Sequence, residues 1–255
     1  MADLAGVRAK LRRAGEHLEA FDTLFEQFVR TEPYSITFEF DPETGWHTFR
    51  WCVEGEPPLE EMALIFADIL GNLRTTLDYL VWQLVLAGGS RPGRRTAFPV
   101  VKREKDWAVQ GGSALKGVAE EWAGLIEAMQ PFQRFDAPEV HPLAILEHMN
   151  NIAKHRFLPL AILTADEFGY LVNVADLPAG ETFESRDFLD APIVDGAELA
   201  RFRSESHRQI AVQVNQRPRF RLTFRDGLEI GWTPAGLVEW VREAVAQFEP
   251  AFLPH

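Results

Sequence analysis

The chain of 255 residues has one cysteine, Cys52. An intrachain disulfide framework and a cysteine zinc cluster are therefore excluded. It also lacks any apolar run near the ~20 residues that a membrane-spanning helix needs; the longest is interrupted by Arg74 and Asp78. Positive charge is in short supply, with 26 Lys and Arg against 38 Asp and Glu and a net charge of −12. That balance argues against nonspecific coating of nucleic acid. A local basic stretch does exist at Arg91, Arg94, Arg95, Lys102, Arg103 and Lys105, and Arg217, Arg219 and Arg221 recur at period two. Solvated surface charge is the simplest reading of both. The amphipathic N-terminus has no compact apolar segment of the secretory kind, so cytoplasm is the expected location.

Motifs for bound groups are missing as well. There is no HExxH, no His-x-His and no cluster of carboxylates, and His148 and His155 are about 10 Å apart along a helix axis. No metal ligand set is assigned. Neither GxGxxG nor GxxxxGK[ST] occurs, and Gly88-Gly89 and Gly111-Gly112 read as helix punctuation. No cofactor is expected.

What the sequence does contain is a helix unlike a surface helix. Leu59–Ala87 reads as about eight turns that are apolar almost all round, the pattern of a helix inside a bundle. Arg74 and Asp78 sit at its centre on one face, four residues apart. Charges in such a place need compensation, because unpaired buried charge costs several kcal/mol.

The rest of the chain supplies context. Residues 3–30 alternate apolar positions by three and four (Leu4, Val7, Leu11, Ala14, Leu18, Phe21, Phe25, Phe28), a heptad-like seam with Asp3 as N-cap. The seam suits the central helix, and a homodimer is its other use. Residues 34–53 switch to period two around DPETG and predict a β-hairpin. A helix is expected from Ala114 to Met129, with Ser113 as N-cap, and another from Pro142 to about Phe157. From Leu158 the runs LPLAILT, YLVNVA, QIAVQVN, FRLTF and LEIGW read as short strands, and Thr233-Pro234 opens a last helix. The expected class is α+β: an N-terminal helical bundle of about four helices with an inserted β-hairpin, then a mainly antiparallel β-sheet and a C-terminal helix. The expected division is 1–158, bundle with hairpin at 34–53, and 159–255, β-rich with the last helix, packed as one unit with the bundle.

Two segments carry the candidate chemistry, Arg74 with Asp78 and the run Asn151, Lys154, His155 and Arg156. Histidine is the one side-chain type among these whose unperturbed pKa lies near neutrality, so His155 is the natural general acid or base. Asn151, one turn earlier, could orient it or a substrate. Arg74, Lys154 or Arg156 could stabilise a developing anion, and Asp78 could hold the imidazole tautomer or neutralise Arg74. The alternative is a polar network that fixes helix packing and does no chemistry.

The pieces GNLRTTLDYLVWQLV, TAFPV, QPF and NNIAKHR, in this order, resemble a widespread family of uncharacterised bacterial proteins. Its pattern reads HNLRSALDHLAWQL, FPI, QPY and N-x-DKHR, with Asp where this chain has Ala153. The resemblance implies no activity. More distantly, Asn151 and His155 in NNIAKHR resemble part of the Arg-Asn-x3-His motif of HEPN domains, helical bundles that often act as metal-independent ribonucleases. Here Asn150 replaces the arginine. Two functions follow as expectations: a non-catalytic binding or interaction module with a structural Arg/Asp/Asn/His network, or a HEPN-like enzyme that acts on RNA or a nucleotide through His155.

Overall fold

The computed structural model describes residues 2–133, 137–155, 160–167, 170–172, 180–189, 191, 193–214, 219–224 and 233–253; in 160–167, 170–172, 214 and 219–224 the description is of the backbone alone. The fold is α+β. By contacts the chain divides into two units, 1–24 with 60–158 and 230–255, and 25–59 with 159–229.

The first unit is helical. Helix α1 (Ala5–Arg30) begins where the Asp3 carboxylate accepts the Ala5 N–H, at 2.8 Å. It runs antiparallel to α2 (Leu59–Ala87): the Asp3 N–H donates to Gln83, Gly6 lies against the Tyr79 ring, and Phe21 meets Phe66 at 6.1 Å. Leu4, Val7, Ala14 and Phe21 are buried, so much of the α1 seam is used inside the chain. Helix α2 buries twelve side chains, from Met62 to Val85, and ends at Gly89, whose φ of +70° favours glycine. Helices α5 (Pro142–His155) and α6 (Pro234–Ala246) belong to the same unit, with proline in the first turn of each. Thr233 caps α6 by accepting the Gly236 N–H.

The expected helix from Ala114 to Met129 is corrected. Two helices occupy the region, α3 (Glu104–Ala114) and α4 (Glu120–Ala128). Gly111, Gly112 and Ser113 lie inside α3 and cap nothing. Gly111 is needed because a Cβ there would sit 2.8 Å from the Trp107 ring. The break falls at Gly117, with φ of +91°, where a Cβ would meet Ser90 at 2.7 Å.

The second unit holds a four-stranded antiparallel sheet in the order β1-β2-β6-β5. The predicted hairpin forms β1 (Tyr34–Phe40) and β2 (His47–Val53), in register from Tyr34 opposite Val53 to Phe40 opposite His47. Strand β6 (Glu198–Ser204) pairs with β2, and β5 (Phe183–Asp187) pairs with β6. One face carries the core of Phe49, Trp51, Ala200 and Phe202, joined by Leu199 and Ile210. Two strand pairs, β3 (Leu160–Glu167) with β8 (Arg219–Phe224) and β4 (Tyr170–Val172) with β7 (Val212–Val214), are also antiparallel. The expected segment LEIGW and residue Arg217 lie outside the described residues.

The division at 158 is corrected too. Edge pairing of β2 with β6 draws the hairpin into the β-rich unit, and the apolar face of α6 draws the C-terminal helix into the helical one. Backbone groups on β2 need a ladder partner, and only another strand offers one in register.

Candidate functional site

The face of α2 that bears Arg74 and Asp78 meets a loop residue, Phe98. Arg74 Nη2 donates to the Phe98 carbonyl at 2.7 Å, and Asp78 Oδ1 accepts the Phe98 N–H at 2.9 Å. The two side chains also pair with each other at 2.9 Å. Their i, i+4 spacing sets one donor and one acceptor side by side, which is the pattern that a single residue's N–H and C=O present. Phe98 itself is buried at 1% exposure, so its ring fills the core while both its peptide groups are satisfied.

The same segment is held a second time, three residues on. Gln130, fully buried, accepts the Val101 N–H at 2.9 Å and donates to the Ile126 carbonyl at 3.0 Å. The Phe132 N–H donates to the Val101 carbonyl. Pro99 lies between the two grips; having no N–H, it leaves no donor to satisfy. Three of the ordered sequence pieces, NLRTTLD, AFPV and QPF, are thus one hydrogen-bonded arrangement: α2 holds the loop at Phe98 and the turn after α4 holds it at Val101.

Around Arg74 the electrostatics are uneven. Its Nη1 is buried without a hydrogen-bond partner among the described residues. Glu147 of α5 is half-buried, and desolvation raises its pKa above the ordinary carboxylate range, against the opposing pull of Arg74 and Lys102. Sequence reasoning missed Glu147. The available signal was a carboxylate one turn from Leu143, Ala144 and Asn150, at the edge of the buried arc of α5.

The expected convergence with the end of α5 is not what brings these residues together. Asn151, Lys154 and His155 are exposed, as is His148, whereas the neighbouring Asn150 is buried at 3% exposure. Among the described residues no hydrogen bond or ion pair links Arg74 or Asp78 to Asn151, Lys154 or His155. Arg156 lies outside the described residues. The peptide groups of Phe98 engage Arg74 Nη2 and Asp78 Oδ1 in place of side chains from α5. Arg91, Arg94, Arg95, Lys102, Arg103 and Lys105 are all exposed, as solvated charges would be. Among the described residues no three His, Cys, Asp or Glu side chains gather as a metal site would require, and no described helix is long and apolar enough to cross a membrane.

Comparison with family models, curated proteins and solved structures finds no match.

Proposed function

We propose that this chain is a non-catalytic binding or interaction module, of the bacterial kind that its ordered motifs resemble, in which Arg74 and Asp78 hold the fold and do not act on a substrate. The observation that supports this is the use of both charges on the two peptide groups of Phe98. A catalytic arginine or carboxylate needs a free donor or acceptor aimed at a reacting group, and here Asp78 and Arg74 Nη2 are engaged. The unpaired thiol of Cys52 fits a reducing compartment such as the cytoplasm.

The test is to separate stability from activity. Arg74→Ala and Asp78→Ala should each lower the melting temperature without changing any RNA- or nucleotide-directed turnover, because there is none to change. Loss of a measurable turnover in either variant, at unchanged melting temperature, would sink the proposal.

A second reading is favoured by one observation. Asn151 and His155, one turn apart on α5, are both exposed beside Lys154, so a ligand could reach all three. Under this reading the protein cleaves RNA in a HEPN-like way with His155 as general acid or base, and overexpression is toxic. His155→Ala would then restore growth; equal growth of cells making wild type and variant removes it.

A further inference from the structure

Residues 205–211 cross from the end of β6 to the start of β7, and all of them are exposed except Ile210. Ile210 is 4% exposed and enters the core of Phe49, Trp51, Leu199, Ala200 and Phe202. Its N–H donates to Nε2 of His47 on β2, at 2.8 Å. The residues before it are tied down separately, the Ser206 N–H by Glu181 and the Arg208 N–H by Ser204 Oγ. We propose that His47 is an acid-sensitive latch: protonation of Nε2 releases Ile210 and lifts this strap from the sheet, while the sheet itself stays folded.

The latch works through the choice between accepting and donating. A neutral imidazole has one acceptor nitrogen, and here Nε2 uses it on the Ile210 N–H. Protonation turns that atom into a donor aimed at another donor. Rotating the ring restores nothing, because both nitrogens then carry hydrogen. The flanking rings of Phe40 and Phe202 at 4.6 Å and Phe38 at 5.6 Å offer no lone pair in exchange. The charged ring therefore needs water, and two routes lead to it. Parting β2 from β1 or β6 would break a ladder of backbone hydrogen bonds. Lifting the strap gives up the Ile210 bond and the seat of one isoleucine, which makes it the smaller opening.

The charged groups on the elements packed around His47 are turned away or engaged. Strand alternation puts Glu39, Arg50, Arg201 and Arg203 on the opposite face, where Glu39 and Glu198 pair with Arg50 and the last two lie over Trp46. At the hairpin turn Asp41 accepts from Thr44 and the Glu43 N–H, and Glu43 is exposed. On the strap Glu205 accepts from Thr182, while His207 and Arg208 are exposed. Among the described residues no carboxylate hydrogen-bonds to His47 or forms an ion pair with it. Burial lowers its pKa below the ordinary 6.5, opposed by the Gly45 and Phe202 backbones.

This inference goes beyond the interaction-module reading and does not depend on it, since its residues all belong to the other unit. The test is hydrogen exchange of the full chain, followed amide by amide between about pH 7.5 and 5. Protection is taken relative to an unstructured peptide at the same pH. Below 6.5, protection of the Ile210 amide should fall ~10-fold per pH unit, the slope of one linked proton, and level off beneath the lowered pKa of the closed form. The Trp51 amide, bound to the Ala197 carbonyl, should keep its protection throughout. His47→Gln retains an acceptor and does not titrate, so Ile210 protection should no longer depend on pH. His47→Phe has no acceptor, so protection should be low at every pH. Wild-type Ile210 protection that ignores pH overturns the proposal. Parallel losses at Ile210 and Trp51 overturn it too, because the sheet would then be opening as a whole. An acid-dependent loss that persists in either variant assigns the proton to another group and overturns it as well.

Discussion

The two units handle a buried polar side chain in opposite ways. In the helical unit Arg74 and Asp78 bring two charges to the edge of the core, and a loop peptide and mutual pairing satisfy much of their hydrogen-bonding capacity. In the β-rich unit His47 brings no net charge but is fully buried, with its ring stacked on Phe202 at 4.6 Å and flanked by Phe38 and Phe40. Its Nε2 accepts the Ile210 N–H at 2.8 Å, which places the ring proton on Nδ1, and that atom is buried without a partner among the described residues. Charge can be kept near a core when geometry supplies partners. A half-satisfied neutral ring survives only while it stays neutral.

The largest effect should come from breaking the α2 grip on Phe98. Arg74→Ala removes the donor to the Phe98 carbonyl and the ion-pair partner of Asp78, and Asp78→Ala removes the acceptor of the Phe98 N–H and the ion-pair partner of Arg74. Each should cost about 3 kcal/mol in thermal or denaturant unfolding. Because both act on one network, the double variant should cost less than the sum of the singles. Additive losses would show that the two side chains act independently. Gln130→Leu should follow at about 2 kcal/mol, because it leaves the Val101 N–H buried without an acceptor.

His47 should give a smaller effect that depends on pH. Desolvation lowers its pKa below the ordinary 6.5, and the Gly45 and Phe202 backbones pull the other way without either hydrogen-bonding Nδ1. The folded state therefore binds fewer protons than the unfolded chain in the window just below pH 6.5. Stability from this group is present above that pH and is lost as pH falls through the window. His47→Phe should flatten this part of the profile and lower stability at neutral pH by about 1 kcal/mol, from the unmatched Ile210 N–H. An unchanged acid limb would show that His47 does not control it.

The smallest effect is expected at Glu147. Its raised pKa means that the fold favours the protonated form, so its contribution is present below the ordinary carboxylate value and is lost as pH rises through the folded one. Glu147→Gln should leave stability at neutral pH unchanged or raise it by up to about 1 kcal/mol. A clear loss would mean that the carboxylate's attraction to Arg74 outweighs its burial.

Much of the fold is legible where side chains and backbone report the same thing. Asp3, Pro142, Thr233 and Gly89 mark helix ends by their own chemistry, and period-two alternation around DPETG marks the hairpin. Legibility failed where one residue type serves two purposes. Gly111 looks like a helix stop but is small to admit Trp107, so α3 went unseen. Strand β6 was hidden because Arg201 and Arg203 interrupt its apolar run, both stacked over Trp46 at 4.6 and 4.7 Å. The site shows a deeper difficulty. Arg74 and Asp78 were visible as a pair in need of compensation, and side chains on α5 looked like the natural source. The compensation came from peptide groups, and every residue carries those. Only the fold determines which peptide lies opposite.

The grip on Phe98 also sets a timescale. Phe98 and Val101 lie outside helix and strand, where amide hydrogens ordinarily exchange with solvent through small local fluctuations. Their N–H groups are instead held by Asp78 and Gln130, beneath a ring and a branched side chain that are each 1% exposed. To exchange, the loop must leave the helices that anchor it. In deuterated water these two amides should persist as long as those at the centre of α2, making an irregular loop one of the last parts of the helical unit to open.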